Sequence, residues 1–492
     1  MRLAFDPQRQ LACPPVDQVV LNLNCRDEII PILRGLQHVY QVPALRQELL
    51  HLIGKDVNST TSHKLGRRGL DYWPIAVLAS VRLGCNLDYD KLQDLAENHR
   101  KLRFMMGIGD WHAEDTLDWR RLRDNLCLLQ PTTLEQINQL IVRAGHQLVP
   151  EAAKVVRGDT FVVETNVHYP TDSTLIGDGL RKVINVAAVL AKEQGVPGWR
   201  QHEHLLQRVR ELVREINRAA RAKVKGQERL RAGYQKLLGL AGDLLGRARQ
   251  LLQALFFRLQ PGGIDLVACS QEQALRHYFR LTEKVCDNAR RRVLQGETLS
   301  NDEKIFSIFE PETELIKRGK VPNPIQFGHN VLIIEDGAGF ICHYEVLANG
   351  VLDQDVVIPA MKKVQKRLGG KVERASFDRA FHTPENQEEL AKIVKHPCLA
   401  AKGNEPGRKQ RAVGGVIFRQ GRRHHPGVES AVGALQSGNG QEQCRDRGRR
   451  GYERYVGLGV LGRNLQVLGK LLLAQEVGKC QAAQSKRKAM PA

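Results

Sequence analysis

Three acidic residues stand where cleavage or transfer of a phosphodiester would need them. Asp159 lies within a strand-like run, Asp378 directly follows a second one, and Glu429 opens a basic helical stretch. A phosphodiester carries a negative charge that repels a nucleophile, and its pentavalent transition state carries more. Two hard cations about 3.5 to 4 Å apart can activate the attacking oxygen and stabilise the leaving one. Magnesium takes oxygen ligands in octahedral geometry and keeps some waters, so a few carboxylates on rigid elements suffice. Asp159, Asp378 and Glu429 are therefore expected to hold two Mg2+ ions, with Mn2+ as a possible substitute.

The elements that must position them can be read locally. The run Val155 to Val167 is rich in β-branched and aromatic residues and stops at Tyr169-Pro170-Thr171-Asp172, a turn and helix-start signal, so it reads as a strand. Alternation puts Asp159 on one face with Phe161, Val163 and Thr165, and Glu164 on the other. The plain structural explanation of Asp159 is an aspartate at a strand edge bonded to a nearby loop. Lys371 to Phe377 reads as a second strand ending at Asp378, followed by a helix opened by Thr383 and Pro384. Carboxyl ends of strands are where open α/β sheets place ligands, although a loop-capping aspartate would look the same. Around Glu429, Val428, Val432 and Leu435 recur at helical spacing after Pro426. An acid in a first helical turn is already favoured by the helix dipole. What adds to that is the cationic approach. Arg422, Arg423, His424 and His425 precede Glu429, and Arg445, Arg447, Arg449, Arg450 and Arg454 follow it. Of these, Arg422, Arg423, His424, His425, Arg445, Arg447, Arg449 and Arg450 form the expected DNA-binding set.

Taken in order, these stretches resemble the insertion-sequence transposases of the Asp-Asp-Glu class. The likeness rests on Gly158 to Asp172, on Arg318-Gly319-Lys320 with Phe327-Gly328-His329, on Phe377-Asp378-Arg379-Ala380-Phe381-His382-Thr383-Pro384-Glu385-Asn386, on Val428-Glu429-Ser430-Ala431, and on Gly451 to Leu465. It covers most of the chain beyond residue 70, and the joint order is more specific than any one motif. The resemblance implies an α/β fold with a ribonuclease-H-like mixed-sheet catalytic core, in which Asp159, Asp378 and Glu429 are the catalytic, metal-binding triad. It also implies strand cleavage at the ends of a mobile element and strand transfer into target DNA. The partners would be double-stranded terminal inverted repeats and target DNA, with at least a homodimer assembled on them. In the implied topology a hairpin from Val331 to Tyr344 follows the Asp159 strand, with an Asp-Gly-containing turn. A helix bearing Val357, Met361, Val364 and Leu368 then crosses to the strand before Asp378. A related group carries an arginine four before the glutamate and a lysine seven after it, where this chain has His425 and Gln436.

The expected organisation is an all-helical N-terminal domain over residues 1–150, core segments at 151–196 and 311–475, a helical hairpin insertion at 197–310 and a basic unstructured tail at 476–492. The N-terminal helices fit either a head that binds terminal repeats or a packing domain, with Trp73, Trp111 and Trp119 as core anchors. In the insertion, Leu205, Val209, Leu212 and Ile216, then Leu230, Tyr234, Leu237, Leu244, Ala248, Leu251 and Leu255, recur at helical spacing, with a break near Lys225-Gly226. Its role is dimerisation or spacing, or a grip on DNA through Arg208, Arg218, Arg221 and Lys223.

A formal charge of +20 over 492 residues favours polyanions, since each phosphate neutralised releases counterions. No run of about 18 uninterrupted apolar residues signals a membrane span, and the first residues lack the apolar stretch of a signal peptide, so a cytoplasmic location is expected, which the resemblance implies is bacterial and nucleoid-associated. Ten cysteines are scattered with no pair at two-residue spacing, which argues against a zinc ribbon or redox pair and for buried thiols such as Cys85 and Cys342. Two rival readings use the same scaffold differently: an inactive or repurposed DNA-binding protein, and a helical scaffold whose charge serves solubility. No Gly-rich phosphate loop follows a strand, and glycines from Gly403 to Gly415 sit in polar loop sequence, so nucleotide-binding enzymes are disfavoured.

Overall fold

The computed structural model describes residues 2, 4, 13–22, 25–58, 69–110, 117–222, 226–258, 266–318, 324–401 and 415–488. Trp111, Gly319, Lys320, Lys223, Lys225 and most of the 403–415 loop lie outside the described residues. The chain divides into two compact units, one made of residues 1–164 with 329–492 and the other of 165–328.

Seven helices come first: α1 Ile29–Gln41, α2 Pro43–Val57, α3 Tyr72–Gly84, α4 Tyr89–Asn98, α5 Arg100–Met105, α6 Trp119–Leu126 and α7 Pro131–Leu148. The strands are β1 Val155–Thr165, β2 Glu314–Lys317, β3 Ile325–Asp336, β4 Ile341–Val346, β5 Arg374–Phe377, β6 His396–Leu399 and β7 Gln443–Cys444. Between and after them run α12 Asp353–Arg367, α13 Pro384–Ile393, α14 Gly415–His424, α15 Gly427–Gly433 and α16 Gly448–Lys488. The protein is therefore a mixed α/β chain with a mixed sheet of seven strands in the order β2-β3-β1-β5-β6, with β4 on β3 and β7 on β1. β3 and β4 form an antiparallel hairpin, while β1, β5 and β6 run parallel. In the hairpin turn the Asp336 carboxylate accepts from the Ala338 and Phe340 amides, and Gly339 takes the positive φ of 92° that closes it. α12 buries Val357, Met361 and Val364 as its spacing requires.

The N-terminal helices share an apolar core with the sheet. A single apolar core joins Ile32 and Leu36 of α1, Trp73 of α3 and Leu140 of α7 to Val331, Phe377 and Leu465. The joining element is α16, onto which α1, α3 and α7 pack. Its Tyr455, Val456, Leu458, Val460, Leu461, Leu465 and Leu468 are buried, so it is apolar on nearly all sides, as a core helix must be. Each such aliphatic side chain contributes about 1.5 to 3 kcal/mol by leaving water. The stretch Gly448–Lys479 of α16 is, contrary to expectation, long and apolar enough to cross a membrane, but 78% of its apolar window is buried inside the protein. Glycines set how closely the neighbours approach. A Cβ on Gly462 would lie 2.4 Å from the Gly84 Cα, and one on Gly469 would lie 1.8 Å from the Pro31 carbonyl oxygen. Within the same core the Asn464 amide closes the edge of β4, accepting from the Ile341 amide at 2.8 Å and donating to its carbonyl at 3.1 Å.

α16 continues through Lys488, across most of the stretch expected to be unstructured. Ala, Gln, Lys and Arg there are strong helix formers, and extending an existing helix needs no new nucleation. Trp73 is a core anchor, fully buried and donating from Nε1 to the Met105 carbonyl at 2.7 Å. Trp119 is half-buried beneath the guanidinium groups of Arg120 and Arg123 instead.

The second unit is a four-helix assembly rather than a two-helix hairpin: α8 Asp172–Glu193, α9 His202–Ala220, α10 Gly226–Arg258 and α11 Leu266–Ala289. Its separate core contains Val209, Ile216, Tyr234, Leu237, Leu244 and Leu251 from the expected stripes, together with Ile176, Leu180 and Ile184 of α8 and Leu275 of α11. The second compact unit spans residues 165–328. α8 starts at a capping box in which Thr171 and Thr174 bond each other's amides.

Candidate functional site

The β1 and β5 strands fix two of the three carboxylates. Val155 pairs with Arg374, Arg157 with Ser376, and Gly158 with Phe377 in parallel register. The next step along both strands is Asp159 and Asp378. Side chains two apart share a face, so Arg157 and Asp159 point to the same side, as do Ser376 and Asp378. Neighbouring paired strands lie about 4.8 Å apart, and Asp378 directly follows the last paired residue of β5. Asp159 is partly buried and its Oδ1 accepts from the Thr160 amide at 2.8 Å. Asp378 is exposed and makes no cap bond to the short helical turn that follows it. The opposite face of β1 belongs to α12, where Thr160 donates to Asp353 at 2.9 Å.

α14 and α15 cover the face that carries the aspartates, and their close approach depends on glycine. A Cβ on Gly421 of α14 would strike the Cys398 sulfur of β6 at 2.3 Å, and one on Gly427 of α15 would strike the Arg157 Nη1 at 1.9 Å. Arg157 joins this layer to the sheet: it pairs with Glu335 of β3 at 2.7 Å and donates to the His424 carbonyl at 3.0 Å. Glu335 is 2% exposed; burial pushes its carboxyl pKa upward, opposed by the Arg157 charge. Arg422 donates to the Phe377 carbonyl at 3.2 Å, immediately before Asp378. Glu429 sits in the first turn of α15, exposed. A π-helical segment, Ala434–Gly438, follows α15 directly.

Among the described residues no three His, Cys, Asp or Glu side chains gather into a metal-holding cluster. Asp159 and Asp378 each stand one residue past the last paired positions of β1 and β5, and Glu429 lies in the first turn of α15 without completing a set of three. The donor chemistry itself suits a hard divalent cation, because all three groups are carboxylates, one on β1 and one directly after β5.

The expected DNA-binding residues separate by environment. Arg423, His424, Arg445, Arg447 and Arg450 are exposed. His425 is not part of that surface: it is 7% exposed, its Nδ1 has no hydrogen-bond partner, and burial lowers its pKa, helped by Arg422 and opposed by Asp378. Arg449 is half-buried and tied to Glu453 and to the Val346 carbonyl of β4. Arg454 is buried against the Cys127 carbonyl and Asp446, where Arg82 also pairs with that aspartate at 2.6 Å. These inward arginines stabilise the fold and are unavailable to a ligand. Sequence reasoning missed the Arg157–Glu335 pair, whose one available signal was an arginine two residues before Asp159.

Cys13, Cys25, Cys85, Cys127, Cys269, Cys286, Cys342, Cys398 and Cys444 are free, with Cys342 buried and Cys85 partly so, its thiol pushed up to about 12 by burial. No protein-family model, no curated protein and no solved structure matches this chain.

Proposed function

We propose that this chain is a DNA transposase of the Asp-Asp-Glu class, with a ribonuclease-H-like core and a helical insertion. The observation that carries the reading is the β1–β5 register, with Asp159 and Asp378 each one step beyond the Gly158 and Phe377 pair. Supporting it are the antiparallel β3–β4 hairpin beside β1, the parallel β5 and β6 on the other side, and a glutamate on the helix layer above. Bound divalent cations would supply charge neutralisation of the scissile phosphate and of the attacking and leaving oxygens. Asp159 and Asp378 would hold those cations from the sheet side, and Glu429 would reach them from the first turn of α15. The exposed Arg423, His424, Arg445, Arg447 and Arg450 would meet the DNA backbone, adding affinity without sequence choice.

The test is a nicking and strand-transfer assay on DNA taken from both sides of the reading frame, with Mg2+ or Mn2+. Asp159→Ala, Asp378→Ala and Glu429→Ala should each lower the rate by at least about three orders of magnitude while leaving DNA binding within about twofold, because only the transition-state contribution is lost. Metal-dependent cleavage that survives any of the three substitutions would remove that residue from the site. Cleavage that survives all three would end the proposal.

A further inference from the structure

The four-helix unit holds a cavity of about 330 Å³ between α8 and α9, within the range of small-ligand sites. Its polar wall carries Asp178, Arg181, Arg210 and Arg214, and its apolar wall carries Leu206 and Val213. The two helices close tightly at Gly177, where a Cβ would meet the Val213 Cγ2 at 3.0 Å. Asp178 is already committed, bonding Arg181 at 3.1 Å and lying 3.6 Å from the His168 Nε2. Arg181 is further held by its guanidinium, 5.3 Å from the centre of the Phe309 ring. Arg210 and Arg214 differ from it. They stand one turn apart on α9, both exposed, and neither pairs with an acid among the described residues. Like charges at that spacing destabilise a helix, a cost that an anion between them removes. Guanidinium forks match phosphate oxygens in pairs, and the aliphatic wall suits the sugar face beside a phosphate.

We propose that this cavity binds a phosphate group, with Arg210 and Arg214 as its two mobile prongs and Arg181 as the fixed one. Two sources share that chemistry: a backbone phosphate of DNA, which rests on the transposase reading, and a free phosphate. The experiment uses the full chain in EDTA, so that no cleavage enters the readout. In the first arm, anisotropy of a labelled duplex of arbitrary sequence is followed against salt for the wild type, for Arg210→Gln/Arg214→Gln, and for the charge-matched control Arg208→Gln/Arg218→Gln on the same helix. In the second, inorganic phosphate is titrated calorimetrically into the wild type and the cavity variant, after circular dichroism has verified that both fold.

If the source is DNA, the cavity variant loses about 1.8 from the slope of log K against log salt and binds at least roughly tenfold more weakly at 0.1 M salt, and the control loses clearly less. If it is free phosphate, saturable heat appears in the wild type and is absent from the cavity variant. Either result supports the site. Equal losses in cavity and control variants with no phosphate heat would overturn it, as would no effect in either arm. Since neither arm scores strand cleavage, the outcome is independent of whether Asp159, Asp378 and Glu429 cut DNA.

Discussion

At the scale of single residues, Arg157 links the sheet to the layer bearing Glu429. Its guanidinium bonds a nearly inaccessible Glu335, supports the His424 carbonyl and lies against Gly427. Removing one member of a buried pair leaves the other charged and unpaired, which costs about 3 to 5 kcal/mol, whereas replacing both by apolar groups costs far less. Arg157→Met should therefore lower the urea midpoint of the larger unit substantially, and adding Glu335→Leu should recover most of the loss. A single variant as stable as the wild type would show that Arg463, whose charge also acts on Glu335, suffices alone. None of this was legible in the sequence, because strand alternation gives the face on which Arg157 lies but not the Glu335 it meets there. Asp159 and Asp378 were legible, because strand composition before each of them is strong and turn signals follow.

Elements tell a similar story of local legibility and hidden partnership. The hairpin, α12 and the stripes of α9 and α10 follow from periodicity of two or of about 3.6 residues, and each appears as expected. The participation of α8 and α11 in the same bundle did not, since periodicity says which face is buried but not against what. The same holds for α16, whose glycines at 462 and 469 admit α3 and α1 to backbone contact. Gly469→Ala sets a methyl against the Pro31 carbonyl, a rigid backbone atom, so α1 and α16 must separate. Overpacking of this kind costs about 1 to 3 kcal/mol. Gly478→Ala on the same helix, with nothing within 4 Å of the new Cβ, should be neutral or slightly stabilising. Thermal denaturation of the two variants tests the contrast; equal midpoints would contradict the close packing.

For the whole molecule the decisive fact is that there are two cores, one in each unit. Chains built this way depart from a single all-or-none transition. Denaturant titration should resolve two steps, the first and second distinguished by a tryptophan probe: Trp199 reports the helical unit, and Trp73 and Trp119 the larger one. One coincident transition by fluorescence and circular dichroism would mean that the two cores unfold as one. The composition signals for an insertion were visible before the structure, but its limits were not, because residues 165–196 continue a strand and begin a helix just as a core segment would.

The long helix α16 also dictates how the polypeptide can mature on the ribosome. α1, α3 and α7 leave the exit tunnel early, yet the helix that shields them is made some 300 residues after α7 ends. At about 5 to 20 residues per second, their greasy faces wait roughly 15 to 60 seconds for cover. During that interval the nascent chain is a natural client for holding chaperones. A message truncated before codon 448 would yield a sticky fragment instead of a smaller working protein.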